Sequence, residues 1–184
     1  MRKRYWLGVL SGGLGVIIVA LVLGLGGAIN MEADQPPGLL DGMGHVAWES
    51  SVAWRSGDMV SPVTGDANAA SDGFEHYRST CVMCHGAPDV AGAEWVGGML
   101  PMPPNLALKE TQERSDAELF HIIHDGVRMT GMPAFGSSHS DRQIWEMVAF
   151  LRKLPNLGAA QKASLRSATH ADEHEHHAEE HHGS

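Results

Sequence analysis

The sequence predicts an all-α protein, with one membrane-length helix at the N-terminus and a small helical domain behind it. Three observations predict this. No run of residues alternates apolar and polar with the period of two that a half-buried strand requires. Ser115-Asp116-Ala117-Glu118 and Ser140-Asp141-Arg142-Gln143 are capping boxes, each followed by apolar residues at helical spacing. An uncharged stretch runs from Tyr5 to Asn30. The 184 residues suit one ordinary domain with additions, and the net charge of −9 argues against nucleic acid as a partner, since phosphate binding needs basic patches. Only two cysteines occur, too few for a disulfide scaffold.

Residues 1–4 form a basic end, with Arg2, Lys3 and Arg4. Residues 5–30 read as a transmembrane anchor. Trp6–Ile29 spans about 36 Å as a helix, enough for a hydrocarbon core of ~30 Å. The basic end then lies in the cytoplasm, and the rest of the chain in the periplasm, outside the plasma membrane. A cleaved signal peptide is the competing reading. Its apolar region is shorter as a rule, and Gly26-Gly27-Ala28 is a poor cleavage site.

Residues 31–70 read as a periplasmic linker. Gln35-Pro36-Pro37-Gly38 and Ser61-Pro62 punctuate it, and no helical period is sustained. Gly44–Met59 is the exception, a short helix near the membrane surface or a patch for a partner, with Val46, Trp48, Val52 and Trp54 scattered through it.

The chemistry concentrates in Cys81-Val82-Met83-Cys84-His85. C-x-x-C-H is the attachment signature of c-type haem: two thiols on one helical turn meet the two vinyl groups, and the next residue aims an imidazole at the iron. A thioredoxin-like dithiol would need strand–helix alternation, and a zinc site a second pair of ligands; neither is present. One covalently attached haem c is therefore expected.

A second axial ligand should follow downstream. Met99, Met102, Met129, Met132, His121, His124 and His139 are the candidates. Met132 stands out because Pro133 biases it to an extended backbone, and Gly131 and Gly136 let the loop fold tightly over a flat ring.

With these residues in view, the chain resembles the class I cytochromes c, in particular the small monohaem domains of subunit III of cbb3-type oxidases. The resemblance covers about residues 71–155 and rests on Cys81–His85, Pro103-Pro104-Asn105-Leu106 and Gly131-Met132-Pro133-Ala134-Phe135. It implies a cytochrome c fold of three to five helices around one covalent haem, over a domain placed at residues 71–156. It implies that Met132 is the axial partner of His85, and that a carbonyl of the Pro101–Pro104 run bonds the His85 ring. It also implies that Gly73 and Phe74 pack against Phe150 or Trp145 of the last helix.

The expected helices are consistent with this domain. One begins at Asp72, with Glu75 three residues on. A second carries Leu119, Ile122 and Ile123 and stops at Gly126; a third carries Ile144, Met147, Val148 and Leu151. So small a domain has a marginal core, which a haem would complete.

Residues 157–184 read as a disordered tail rich in His and Glu. His170, His174, His177 and His181 are spaced 4, 3 and 4 apart, one face of a helix if the segment is helical, and are candidate weak ligands for Cu, Ni or Zn.

The expected function is that of a non-enzymatic electron carrier, a membrane-anchored cytochrome passing single electrons between respiratory complexes, with an oxidase, reductase or dehydrogenase as redox partner. A permanently bound subunit of such a complex, and a haem protein with a metal-binding or metal-sensing tail, are the alternatives.

Overall fold

The computed structural model describes residues 2–27 and 32–180. Its helices are α1 (Arg2–Leu25), α2 (Leu39–Ser56), α3 (Ala69–His76), α4 (Val82–His85), α5 (Lys109–Gln112), α6 (Asp116–Asp125), α7 (Asp141–Leu151) and α8 (Ala159–Glu180). Among the described residues there is no β-strand, only a bridge between Ala87 and Val90. The chain divides at Gln35/Pro36 into two compact units.

The first unit consists of α1 and the residues after it. Trp6–Leu25 has a mean hydropathy of 2.4 and none of it is buried against protein. A helix apolar on every side has no polar face to turn to water, and its length suits a bilayer.

The second unit is helical and is held together by the crossing of α3 and α7. Gly73 makes that crossing close: a Cβ there would overlap the backbone carbonyl of Glu146. Phe74 then meets Phe150 edge-on at 5.4 Å, and Trp145 stacks instead on Phe120 at 4.4 Å. Both capping boxes form. Ser115 Oγ accepts from the Glu118 amide at 3.2 Å, and Glu118 accepts from the Ser115 amide at 2.8 Å. Gln143 likewise accepts from the Ser140 amide at 2.8 Å. The first domain helix starts at Ala69 rather than Asp72. Asp66 Oδ1 accepts from the Asn68 amide, and the Asn68 carbonyl takes the amides of Ser71 and Asp72, so the helix gains nearly a turn at its start.

Two segments differ from the sequence-based expectation. The linker placed at residues 31–70 contains α2, which packs on α6. Val52, Ser56 and Val63 are buried, Arg114 bonds Glu49 through both terminal nitrogens at 2.5 and 3.0 Å, and the guanidinium lies 5.1 Å from the centre of the Trp48 ring. Gly42, Gly44 and the Ser50-Ser51 pair weaken the local helical signal; tertiary contacts supply the stability that propensity does not.

The tail placed at residues 157–184 begins inside the domain. Leu157 and Leu165 belong to the core, and Leu165 is fully buried. Lys162 pairs with Asp89 at 2.6 Å, and Arg166 donates to the Asp89 carbonyl at 3.0 Å. Among the described side chains of α8 only Leu165 is large and apolar, too little to mark the helix among small and polar neighbours.

Candidate haem site

Cys81, Cys84 and His85 lie at the end of the helical run that opens with α3. One π-helical turn, Tyr77–Cys81, joins α3 to α4 and brings the two cysteines within the next turn of helix. Tyr77 is buried beneath this junction, and its hydroxyl donates to the Gly86 carbonyl at 2.6 Å. Beyond α4 the chain turns back on itself: the Ala93 amide donates to the Met83 carbonyl at 2.8 Å, and Ala87 and Val90 exchange hydrogen bonds. The fold-back walls one side of an open depression of about 270 Å³, with Cys84, His85, Ala87, Val90, Val96 and Met102 in its lining.

Both cysteines are free thiols. Burial, together with the neighbouring Cys84, pushes the Cys81 thiol up to about 12, and burial raises Cys84 as well. A dithiol exchange centre needs the opposite, a depressed thiol that is ionised at neutral pH. These are protonated side chains with apolar surroundings.

The ring of His85 is oriented by the Pro104 carbonyl, 2.8 Å from Nδ1. A carbonyl oxygen only accepts, so Nδ1 carries the proton and Nε2 keeps its lone pair. Burial also lowers the basicity of this ring, against the opposing pull of that hydrogen bond, which keeps the imidazole neutral and able to bind a metal. Of the Pro101–Pro104 run, it is Pro104 that supplies the carbonyl.

The candidates for the second axial position separate by environment. Met129 is 79% exposed, with a backbone φ of +63°, and Met102 is 62% exposed. His121 and His124 both face Asp125, at 3.1 and 2.5 Å, and His139 Nδ1 pairs with Ser138 Oγ. Met132 is half-buried against the core cluster. Its loop is pinned: the Val127 amide donates to the Met132 carbonyl at 3.1 Å, and Thr130 Oγ1, itself donating to the Val127 carbonyl, accepts from the Met132 amide at 3.1 Å. The room left by Gly131 is taken by the Met99 methyl and that left by Gly136 by the His124 ring, so these glycines serve contacts within the protein.

The residues present fit a haem. Two protonated thiols share one helical stretch, a neutral imidazole with an unengaged Nε2 follows directly, and apolar side chains form the walls. Tyr77 and Asp89 escaped the sequence reading. Tyr77 had a readable signal, its position one helical turn before Cys81; Asp89, at φ +62°, had none.

Helical fold and site together are consistent with a haem-binding electron-transfer cytochrome. Residues 68–151, just under half of the chain, are similar to the family described as cytochrome c oxidase, cbb3-type, subunit III. A search of curated proteins finds no match.

Among the described residues, no group of three His, Cys, Asp or Glu side chains is arranged to hold a metal ion. The side chains of His170, His174 and His177, and the whole of His181, lie outside the described residues.

Proposed function

We propose that the protein is a membrane-anchored monohaem cytochrome c that moves single electrons in a respiratory chain. Cys81 and Cys84 would hold a haem c through thioether bonds, and His85 Nε2 and Met132 Sδ would supply the ligands of its iron. The bound group supplies the Fe(II)/Fe(III) couple. Each thioether would arise by addition of S–H across a vinyl group, which consumes no oxidant. His/Met ligation favours a relatively high potential, appropriate to delivering electrons to a terminal acceptor. α1 is the anchor, with Arg2, Lys3 and Arg4 on the cytoplasmic side and the domain in the periplasm. The acidic balance of the exported part favours a partner with a basic docking face.

The hydrogen bond from His85 to the Pro104 carbonyl carries this reading, because it fixes the one tautomer that can ligate iron through Nε2. Substituting Met132→Ala in the haem-loaded protein tests the ligand set. The low-spin absorption spectrum should give way to a high-spin one, with carbon monoxide binding after reduction. An unchanged spectrum overturns Met132 as ligand.

The family match favours a second reading, a stoichiometric subunit of an oxidase rather than a free shuttle. Solubilisation in mild detergent separates the two: co-purification with a partner in fixed ratio supports the subunit, and a lone cytochrome supports the shuttle.

A further inference from the structure

The outward side of α2 has no role in the site or in the docking just described. Leu39, Leu40, Met43, Val46 and Trp54 are between 58% and 83% exposed. At about 100° per residue these five fall within one third of the helix circumference. Asp41, His45, Glu49 and Arg55, which are all the charged and titratable side chains of α2, fall on the opposite half with the docked Trp48 and Val52. The helix therefore has two working faces. The inner one binds the domain through Glu49, Trp48 and Val52; the outer one is uncharged and mainly apolar, with the Ser50 hydroxyl turned back onto the Val46 carbonyl at 2.9 Å, and carries an indole close to its end.

We infer that this outer face of α2 rests in the interfacial layer of the bilayer, so that the cytochrome domain is held against the membrane by a second contact besides its anchor. The inference rests on the reading of α1 as a membrane span. The covalent chain argues for lipid as the occupant. Leu39 follows Leu25 by fourteen residues, and such a stretch reaches at most about 50 Å even when fully drawn out. The face is thus never farther than about 50 Å from the end of the span. An apolar helix face without charge, ended by a Trp, matches what the headgroup boundary accepts: aliphatic side chains enter the upper acyl region, and the indole sits at headgroup level.

The test uses the full-length haem-loaded protein in vesicles of phosphatidylethanolamine and phosphatidylglycerol that contain a lipid with a photoreactive acyl chain. After irradiation, adducts are mapped by peptide mass spectrometry. Adducts are expected both within Trp6–Leu25 and on the Leu39–Val46 and Trp54 peptides. The double variant Leu40→Glu, Met43→Glu should lose the α2 adducts while the span adducts and the haem spectrum stay as they were. Adducts in the span with none on α2 overturn the inference and leave the anchor standing. Crosslinks between α2 helices of two copies, in place of lipid adducts, also overturn it in favour of self-association. Lack of adducts in the span overturns the anchor, and the inference falls with it.

Discussion

The hydroxyl of Tyr77 donates to the carbonyl of Gly86 at 2.6 Å, and this bond closes a bracket around Cys81–His85 from the inside of the fold. The two residues flank the attachment motif on either side. Tyr77 is 1% exposed, so the bond forms out of reach of water, and burial holds the phenol well above its ordinary ionisation range. Tyr77→Phe would leave the Gly86 carbonyl with its partner removed. The expected loss is about 1–3 kcal/mol in urea unfolding, the cost of a buried group left unpaired. A midpoint equal to the wild type would mean that water or another donor satisfies that carbonyl.

Gly73 is the point at which α3 and α7 touch backbone to backbone. Gly73→Ala forces the helices apart, and because the obstacle is the Glu146 carbonyl, no side chain can swing aside. Destabilisation of about 3 kcal/mol is expected, at the upper end of overpacking costs. Thermal unfolding followed at the haem absorption band measures it. A variant as stable as the parent would contradict the close crossing.

Leu165 decides where the domain ends. Leu165→Ala should cost about 2–5 kcal/mol if α8 completes the core, as its full burial indicates. A separate tail would tolerate the change, and chemical denaturation distinguishes the outcomes.

Glu49 makes the seating of α2 dependent on pH. Its hydrogen bonds to Arg114 hold the carboxyl below its ordinary value of 4.5, against a smaller opposing effect of burial. A carboxylate whose folded value is depressed stabilises the fold above its unfolded value, and that contribution fades as pH falls through the folded one. The contribution is therefore complete at neutral pH and shrinks below about pH 4.5, where hydrogen exchange in α2 should accelerate. The pair is partly exposed and so screened: Glu49→Gln is expected to cost only about 1 kcal/mol at neutral pH and to flatten the acid dependence. An unaltered acid response would assign it to another group.

The parts of the fold that announce themselves in the sequence are those whose local chemistry suffices. Ser115 and Ser140 start helices because side chain and backbone satisfy each other within four residues, and Cys81–His85 is a contiguous signature. The Phe74–Phe150 contact was legible only as one of two alternatives, since Trp145 lies on the same helix and only the face of α7 turned to α3 separates them. Pro104 was one of several carbonyls until the loop path selected it. α2 and the first turns of α8 were not legible, because their stability comes from residues distant in sequence: Arg114 for Glu49 and Trp48, Asp89 for Lys162 and Arg166. α1 was readable because an unbroken apolar run of its length is a property of adjacent residues.

The seating of α2 and α8 has a practical consequence for anyone wishing to work with the domain alone. A fragment trimmed to residues 68–151 would discard Val52, Val63, Leu154, Leu157 and Leu165, all of which are buried in the intact chain. Their apolar partners would face water, and such a fragment should aggregate or shed its fold during preparation. A fragment for electrode or crystallisation work should open at Pro36 and continue past Thr169, so that both flanking helices travel with the core they complete.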